Sequence, residues 1–547
     1  MPVERPGREG WRGEIDNQTP CMPLAMNHRA VAAGVPPAVE GGVSPPGRDA
    51  SRHGLLHLPY PPGKMPGSTA GGTPAATVSW RRSESGAVLV GLLWCLVLLA
   101  VLVVGILHAA RTDLQLARHH ADQIQARYLA LAGIERAKAL LYQDARERSR
   151  SGQSHNGSLF NAPQSFRDIA FGRGTYRVLR GGRPEEGGGV IFGVSDEESR
   201  LNLNTAEPDD LGRLQGMTPD LPAAIADWRD GDNQVTPNGA EAEYYLAMQP
   251  PYQPRNGAFL SVRELLQVRN MPRELLLGRE GSDTGLPNME EGGADDDAMP
   301  DLGMGPAPWA TLLTVHSGVK NVSATGQERV NVQTADEASL TGVRGITTEI
   351  AKAIVAHRGQ NRLESLADLL EVRPAPQPGQ QGQPPPPGVP GQPPPEAGPG
   401  SEIVTGAGRG RPGSGGAPVI DKTLLMDIAD SLTTDSETTQ EGVVNVNTAS
   451  LEVLACLPGM SRELAQAILS YRASAGFLPS TAALLNVPGL TPELFKQIAK
   501  RVTTRSETFR ILAEGRVRST GVRQRVQVVV RVGLSDVQLL SYRENDL

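Results

Sequence analysis

Residues 87–107 read AVLVGLLWCLVLLAVLVVGIL, an unbroken apolar run without one charged side chain. As an α-helix such a run spans the ~30 Å of a bilayer's hydrocarbon core. Lipid offers no partner to a bare peptide group, so only a helix that satisfies its own backbone can occupy this stretch in a membrane. Arg81 and Arg82 precede it and Arg111 and Arg118 follow it, so flanking charge alone leaves the orientation open. Beyond it, Leu114, Ala117, Ala121, Ile124, Tyr128, Leu131 and Ile134 recur at helical spacing among polar residues. The two patterns predict one helix from Ala87 to about Leu141, greasy above and amphipathic below.

Working outward, residues 1–80 are rich in Pro, Gly and Ser and show no periodicity, which predicts a disordered leader; Met65 is an alternative start. The whole chain has 547 residues, 62 of them Gly and 45 Pro, a formal charge of -7, 39% hydrophobic residues and 4% aromatics. That length exceeds a single core, and the acidic balance argues against nucleic acid as the main partner. Cys21, Cys95 and Cys456 match neither a zinc nor a disulfide spacing and are expected to be chemically silent. The histidines show no metal-ligand spacing and no nucleophile motif accompanies them, so no catalytic constellation is expected.

A repeat organises the rest. RLNLNTA (200–206) returns as RVNVQTA (329–335) and VVNVNTA (443–449), and the text behind each copy corresponds. Each copy leads to a turn with glycine, at Gly216, Gly345 and Gly459, then to a segment ending in Trp228-Arg229, His357-Arg358 and Tyr471-Arg472. A second half follows from Ser261, Ser365 and Ser480. The pattern predicts paired helical hairpins, with the Asn of Asn-Thr-Ala capping the next helix and Gly at a left-handed position. Helix-hairpin-helix motifs of this sort hold DNA through backbone N–H groups at the Gly turn. Thr218, Ser461 and Thr491 replace the usual second glycine, and residues 268–271 lack glycine altogether, which favours packing over DNA contact. If a unit binds DNA it is the third, at Gly459 and Gly489.

Short β-rich runs at 174–179 and 189–194, and alternating segments at 509–515, 523–532 and 537–542, predict strands that join in one sheet with the repeats inserted between them. The expected organisation is a leader at 1–86, the stem helix at 87–145, a β segment at 166–200 and a first hairpin unit at 201–280. An acidic linker at 281–308 follows, then a second unit at 309–373 plus 419–440 interrupted by a Pro/Gly/Gln-rich insert at 374–418. A third unit at 441–505 and a closing β segment at 506–547 complete it.

The stretch from Arg81 to Leu141 resembles a type IV pilin-like N-terminus, and 227–259 (DWRDGD, PNGAEAEYY and PRNGAF) resembles the α-helical domain of the K minor pseudopilins of type II secretion systems. The resemblance implies an α+β fold with a long transmembrane and amphipathic pilin helix, a small antiparallel sheet and inserted SAM-like helix-hairpin-helix repeats. It implies cleavage by prepilin peptidase after Gly86 and methylation of Ala87. Most pilins carry Glu at the fifth mature position, where this chain has Gly91, a departure suited to the tip of the filament because nothing above needs neutralising. It further implies a non-enzymatic subunit of the inner membrane, single-pass, with a cytoplasmic N-terminus and a periplasmic bulk. Other minor pseudopilins and the inner-membrane platform are the implied partners. Calcium is the implied ion, for which Asp227, Asp230, Asp232, Glu241 and Glu243 offer oxygens. A membrane-tethered DNA-binding protein of competence type is the alternative.

Overall fold

The computed structural model describes residues 85–153, 157–278, 307–374 and 417–544; the disorder expected for the leader, the acidic linker and the Pro-rich insert falls outside them. Helix α1 runs Ser85–Ser151, roughly 100 Å at 1.5 Å per residue. It exceeds the expected end at Leu141 because Tyr142–Arg150 continue the pattern: Ala145 is buried and Asp144 pairs with Arg148 at 2.8 Å. Gly152, with φ 67°, terminates it. From Val88 to Leu107 the large apolar side chains are exposed, and this is the one helix among the described residues long and apolar enough to cross a membrane.

The lower part of α1 lies on an antiparallel sheet of seven strands: β1 (Ile169–Phe171), β2 (Gly174–Gly181), β3 (Val190–Ile191), β4 (Ser195–Asp196), β5 (Thr508–Val517), β6 (Arg523–Val532) and β7 (Val537–Glu544). The order is β1-β2-β5-β6-β7, with β3 on β2 and β4 on β5. β2 pairs with β5 from Leu179↔Leu512 to Gly174↔Val517, so strands before and after the repeats share one sheet, as the alternation suggested. Ile134, Ala137 and Leu141 of α1 pack on Ile511, Ala513, Val526, Val528 and Val530, the inward set of a period-two pattern. At Gly515 the helix and sheet backbones approach so closely that a Cβ would overlap the Ala126 carbonyl oxygen.

The three hairpin units share one continuous core, and each closes through a short parallel ladder: Leu201–Asn202 on Leu313–Thr314, Val330–Asn331 on Leu432–Thr433, and Val444–Asn445 on Val502–Thr503. Residues 309–314, expected to open the second unit, thus pair with the first. Trp309 is buried in the core and donates Nε1–H to the Gln215 carbonyl at 3.0 Å. The second half of each unit opens with a 3-10 turn (Val262–Gln267, Leu366–Glu371, Thr481–Asn486) instead of an α-helix, since six residues scarcely repay helix nucleation. The glycine-free turn of the first unit is completed by Asn270 at φ 59°, the non-glycine residue that best tolerates the left-handed region.

The Asn of Asn-Thr-Ala is no helix cap. Two residues before that position, Asn202, Asn331 and Asn445 each accept from the N–H two residues on, at 2.8–2.9 Å, forming Asx turns. Asn204 and Asn447 reach across to the second half, receiving the Phe259 and Leu478 N–H groups at 2.7 and 2.8 Å. Caps come later, from Asp336 and Ser450. An arginine in the last turn of each long helix ties this loop down: Arg229 donates to the Leu203 and Ala206 carbonyls, Arg358 to Val332, and Arg472 to Val446 and Ala449.

Two substitutions test this packing. Gly515→Val should cost at least the ~1–3 kcal/mol typical of overpacking, read as a lowered chemical-denaturation midpoint, whereas Gly231→Val, in a loop with open space around it and outside the left-handed region, should cost less. Arg472→Lys should fail to restore the stability lost in Arg472→Ala, because one ammonium on a shorter reach does not reproduce the planar fork.

Candidate functional site

The helix Leu221–Arg229 ends at Asp230, and the chain then loops through Asp232 and Thr236 to Glu241, which precedes the helix Ala242–Leu246. This loop folds three carboxylates together: ligand oxygens of Asp227, Asp230 and Glu241 all lie within 4.8 Å of one another. Two oxygens at about 2.4 Å from a shared calcium-sized ion can be no farther apart than that. Asp227 is fully buried and Glu241 is 2% exposed. Asp227 is held by Thr236, whose hydroxyl donates at 2.6 Å and whose N–H donates at 3.3 Å. Gly239 leaves the space the carboxylate uses, for a Cβ there would overlap Asp227 Oδ2.

Both Glu241 oxygens and Asp230 Oδ1 are buried with no hydrogen-bond partner. No ion pair reaches any of the three carboxylates among the described residues; the adjacent Arg229 is spent on the Leu203 and Ala206 carbonyls. Buried charge in this condition is costly unless a proton or a cation relieves it. Burial, with repulsion from Asp230, Asp227 and Asp232, pushes the Glu241 carboxyl up to about 7 from 4.5, and burial raises Asp230 as well. The arrangement can hold a hard divalent cation.

Of the five carboxylates read from the sequence, the structure brings together three. Asp232 is exposed and its Oδ1 accepts the Gln234 N–H at 2.8 Å, while Glu243 is exposed on the helix that Glu241 precedes. Glu243 leaves the group because the helix that begins at Ala242 turns it to a different face from Glu241. Thr236, Gly239 and Asn256 were not singled out, although a Thr-x-x-Gly turn between acids is a legible sign of a shaped loop. Under the site lies a ring cluster in which Trp228 meets Tyr245 edge-on at 5.1 Å and stacks near Phe259 at 6.5 Å.

Gly86 and Ala87 fall in the first turn of α1, and Gly91 follows with open space where a Cβ would stand. At the hairpins, Gly216, Gly345 and Gly459 face Leu275, Leu424 and Leu494 of their own units, and Gly489 meets Leu464. Thr347, Ser461 and Thr491 cap the helices that follow, taking the N–H groups of Ile350, Leu464 and Leu494 that a phosphate would require. In the third unit Arg472 grips carbonyls, Lys496 pairs with Asp368, Arg501 with Glu207 and Asp210, Arg462 with Glu452, and Arg505 donates to the Ser323 and Val322 carbonyls. These arginines and Lys496 serve the fold. Cys456 is buried, which pushes its thiol up to about 12.

Residues 199–278, the span that carries this acid loop, match the family described as type II secretion system (T2SS), protein K, and residues 325–374 and 439–503 match the helix-hairpin-helix motif. This stretch is similar to a protein K domain. To it are added helix-hairpin-helix units, and the resemblance read from the residues stands on both counts. Relatives named type II secretion system protein K include that of Pseudomonas aeruginosa, 25% identical over 205 residues (34% of this chain, 57% of the relative). That of Pectobacterium carotovorum is 26% identical over 217 residues (36% and 61%). That of Klebsiella pneumoniae is 30% identical over 160 residues (28% and 48%). The chain therefore spans about half to three fifths of the length of these relatives. A solved chain of the GspK-GspI-GspJ complex of enterotoxigenic Escherichia coli aligns at 12% identity and a TM-score of 0.38, covering 79% of this chain and 99% of its own.

The raised Glu241 pKa has a definite sign. The folded state binds this proton more tightly than the unfolded chain, so the contribution is full below about pH 4.5 and is lost as pH rises to about 7. Melting temperatures of the chelator-treated protein should fall more steeply across that window than those of Glu241→Gln. Equal slopes in the two proteins would count against an unpaired, proton-holding Glu241.

Proposed function

We propose that this chain is a minor pseudopilin of type II secretion, a structural subunit placed at the tip of the pseudopilus and active in protein export across the outer membrane. The observation that carries the reading is the protein K match at 199–278 set inside a sheet that lies against a pilin-type stem. Helix α1 serves as the single-pass anchor in the inner membrane, with the N-terminus cytoplasmic and the folded bulk periplasmic. Prepilin peptidase cuts after Gly86 and methylates Ala87. In a stack of such stems the fifth mature residue normally meets the neighbour's N-terminal amine, and an unmatched charge in hydrocarbon is expensive. Gly91 has no carboxylate to offer, and a subunit with no neighbour above does without one.

Other minor pseudopilins and the inner-membrane platform are the partners on this reading, met through the exposed part of α1 and the sheet. The ion held by Asp227, Asp230 and Glu241 is calcium, because three carboxylates on a flexible loop suit a large hard cation that accepts irregular oxygen shells. It supplies charge neutralisation to a loop that otherwise buries like charges. The role is structural, and the chain works by position.

Mass spectrometry of the membrane-extracted protein should find a mature end at N-methylated Ala87; an intact N-terminus running past Gly86 defeats the assignment. Crosslinking through cysteines placed along α1 should capture neighbours on one side of the stem only, and capture of pseudopilins both above and below it would exclude the tip.

A further inference from the structure

Two turns of the sheet point back along the stem toward its apolar part. A Cβ at Gly133 of α1 would meet Ala513 and Tyr176, whereas one at Gly515 would meet the Ala126 and Ala130 backbone, so β5 climbs the helix toward the span while its partner β2 descends. The turn at Gly172-Arg173 between β1 and β2 and the turn at 518–521 between β5 and β6 join at this end, where the Arg518 N–H donates to the Arg173 carbonyl. Continued past Val517, these tips stand opposite about Ala121, roughly 20 Å along the axis from Leu107. The headgroups fill the first ~6 Å below the hydrocarbon, and an extended arginine with one Debye length of ~8–10 Å spans what remains.

This end of the molecule is basic. Residues 108–127, 167–177, 514–525 and 543–544 hold eleven arginines and five acids, a net +6 in a chain whose total is -7, which leaves -13 for the rest. The acids on the sheet are matched from within: Asp168 lies 3.4 Å from Arg177, Glu514 lies 2.8 Å from Arg525, and Glu544 lies 2.7 Å from Arg127. Arg111 and Arg118 on the stem and Arg173 and Arg518 at the tips are exposed, and Phe171 beside them is 60% exposed. We propose that these four arginines form a basic collar that docks on the anionic lipid headgroups facing the sheet, a proposal that rests on the reading of α1 as a membrane anchor. Guanidinium forks suit phosphate oxygens. The anchor already holds the two surfaces together, so the contact forms at high effective concentration and needs little from each arginine. The acidic remainder is repelled by the same surface, which sets the sheet toward the lipid and the repeats away from it.

The test uses the full chain in phosphatidylcholine vesicles, with or without phosphatidylglycerol. A donor dye sits on Thr520→Cys in a Cys21→Ser/Cys95→Ser background, Cys456 being buried, and the acceptor is carried on lipid headgroups. Energy transfer should rise when phosphatidylglycerol is present and fall back at high salt. Arg173→Gln with Arg518→Gln should lower the ratio of docked to undocked tips about five-fold or more, the scale of basic residues at an anionic surface. Both side chains are exposed, so the melting curve should stay that of the parent, and Arg173→Lys with Arg518→Lys should recover most of the response. Transfer indifferent to phosphatidylglycerol overturns the proposal, as does a glutamine pair that responds as the parent does. A glutamine pair that instead loses capture of other minor pseudopilins, with transfer indifferent to lipid charge, assigns the collar to an acidic protein and overturns the lipid. A chain stripped from the vesicles by alkaline carbonate overturns the anchor reading and the proposal with it, whereas a chain retained but indifferent to lipid charge removes the collar alone.

Discussion

The sheet and the first and third units converge on the buried acidic segment Asp196-Glu197-Glu198, where the sheet hands the chain over to the repeats. Asp196 Oδ2 accepts from the Ser506 hydroxyl at 2.6 Å, from Asn445 at 3.3 Å and from Thr448. Glu197 takes Arg510 at 2.6 Å and the Thr314 hydroxyl. Glu198 takes the Thr508 N–H at 3.1 Å and the Gly318 N–H at 3.2 Å, while its own carbonyl receives the Asn445 N–H at 2.7 Å. Three consecutive acids therefore bind the ends of the first and third units and the first residues of β5. Burial pushes Glu197 upward, but Arg510 and Arg200 outweigh it and hold the group down at about 2. Glu198 has no such cation; burial and Asp196 raise it well above the usual carboxylate range. Removing one partner from so dry a network strands the others, which is why such networks specify one arrangement more than they add to stability.

This junction explains how a sheet can be interrupted by the repeats and still close. β2 and β5 are separated by all three units, a loop closure that chain entropy alone makes unfavourable. The units repay it by bringing their own ends together: each parallel ladder returns the chain to its starting point, with Leu203, Val332 and Val446 donating to the Thr314, Thr433 and Thr503 carbonyls at 2.9–3.0 Å. Units of this construction can be added in series without altering the distance the sheet must bridge.

Much of this was legible because it rests on periodicity. Alternation placed β5, β6 and β7, and the threefold text at 200–206, 329–335 and 443–449 placed the units. The arginines at 229, 358 and 472 stood in register in the sequence, but nothing local says that a guanidinium near a helix end will turn back onto carbonyls earlier in the chain. The Asn of Asn-Thr-Ala was misread for the same reason: Asn204 and Asn447 take N–H groups of Phe259 and Leu478 from the other half of their units, partners that no local pattern names. The closing ladder of the first unit was hidden by the acidic linker, across which no spacing rule carries.

The acid loop shows the limit more sharply. Counting carboxylates gave five candidates, yet what makes three of them a site is the shape around them, from a glycine that makes room for Asp227 to a threonine that orients it. Glu241 and Glu243 are equivalent as text and opposite in circumstance, one shut in beside two acids and the other in solvent. The energetic consequence follows from burial and not from composition, because an exposed acidic cluster is screened and a shielded one must recruit a proton or a metal. With burial and the neighbouring acids pushing the Glu241 carboxyl up to about 7, a proton is one remedy available to this loop as the neutral range is approached from below. Trp228 and Tyr245 meet edge-on in the core of the first unit, and Trp228 follows Asp227 directly in the chain, so the state of these carboxylates bears on the packing of that core.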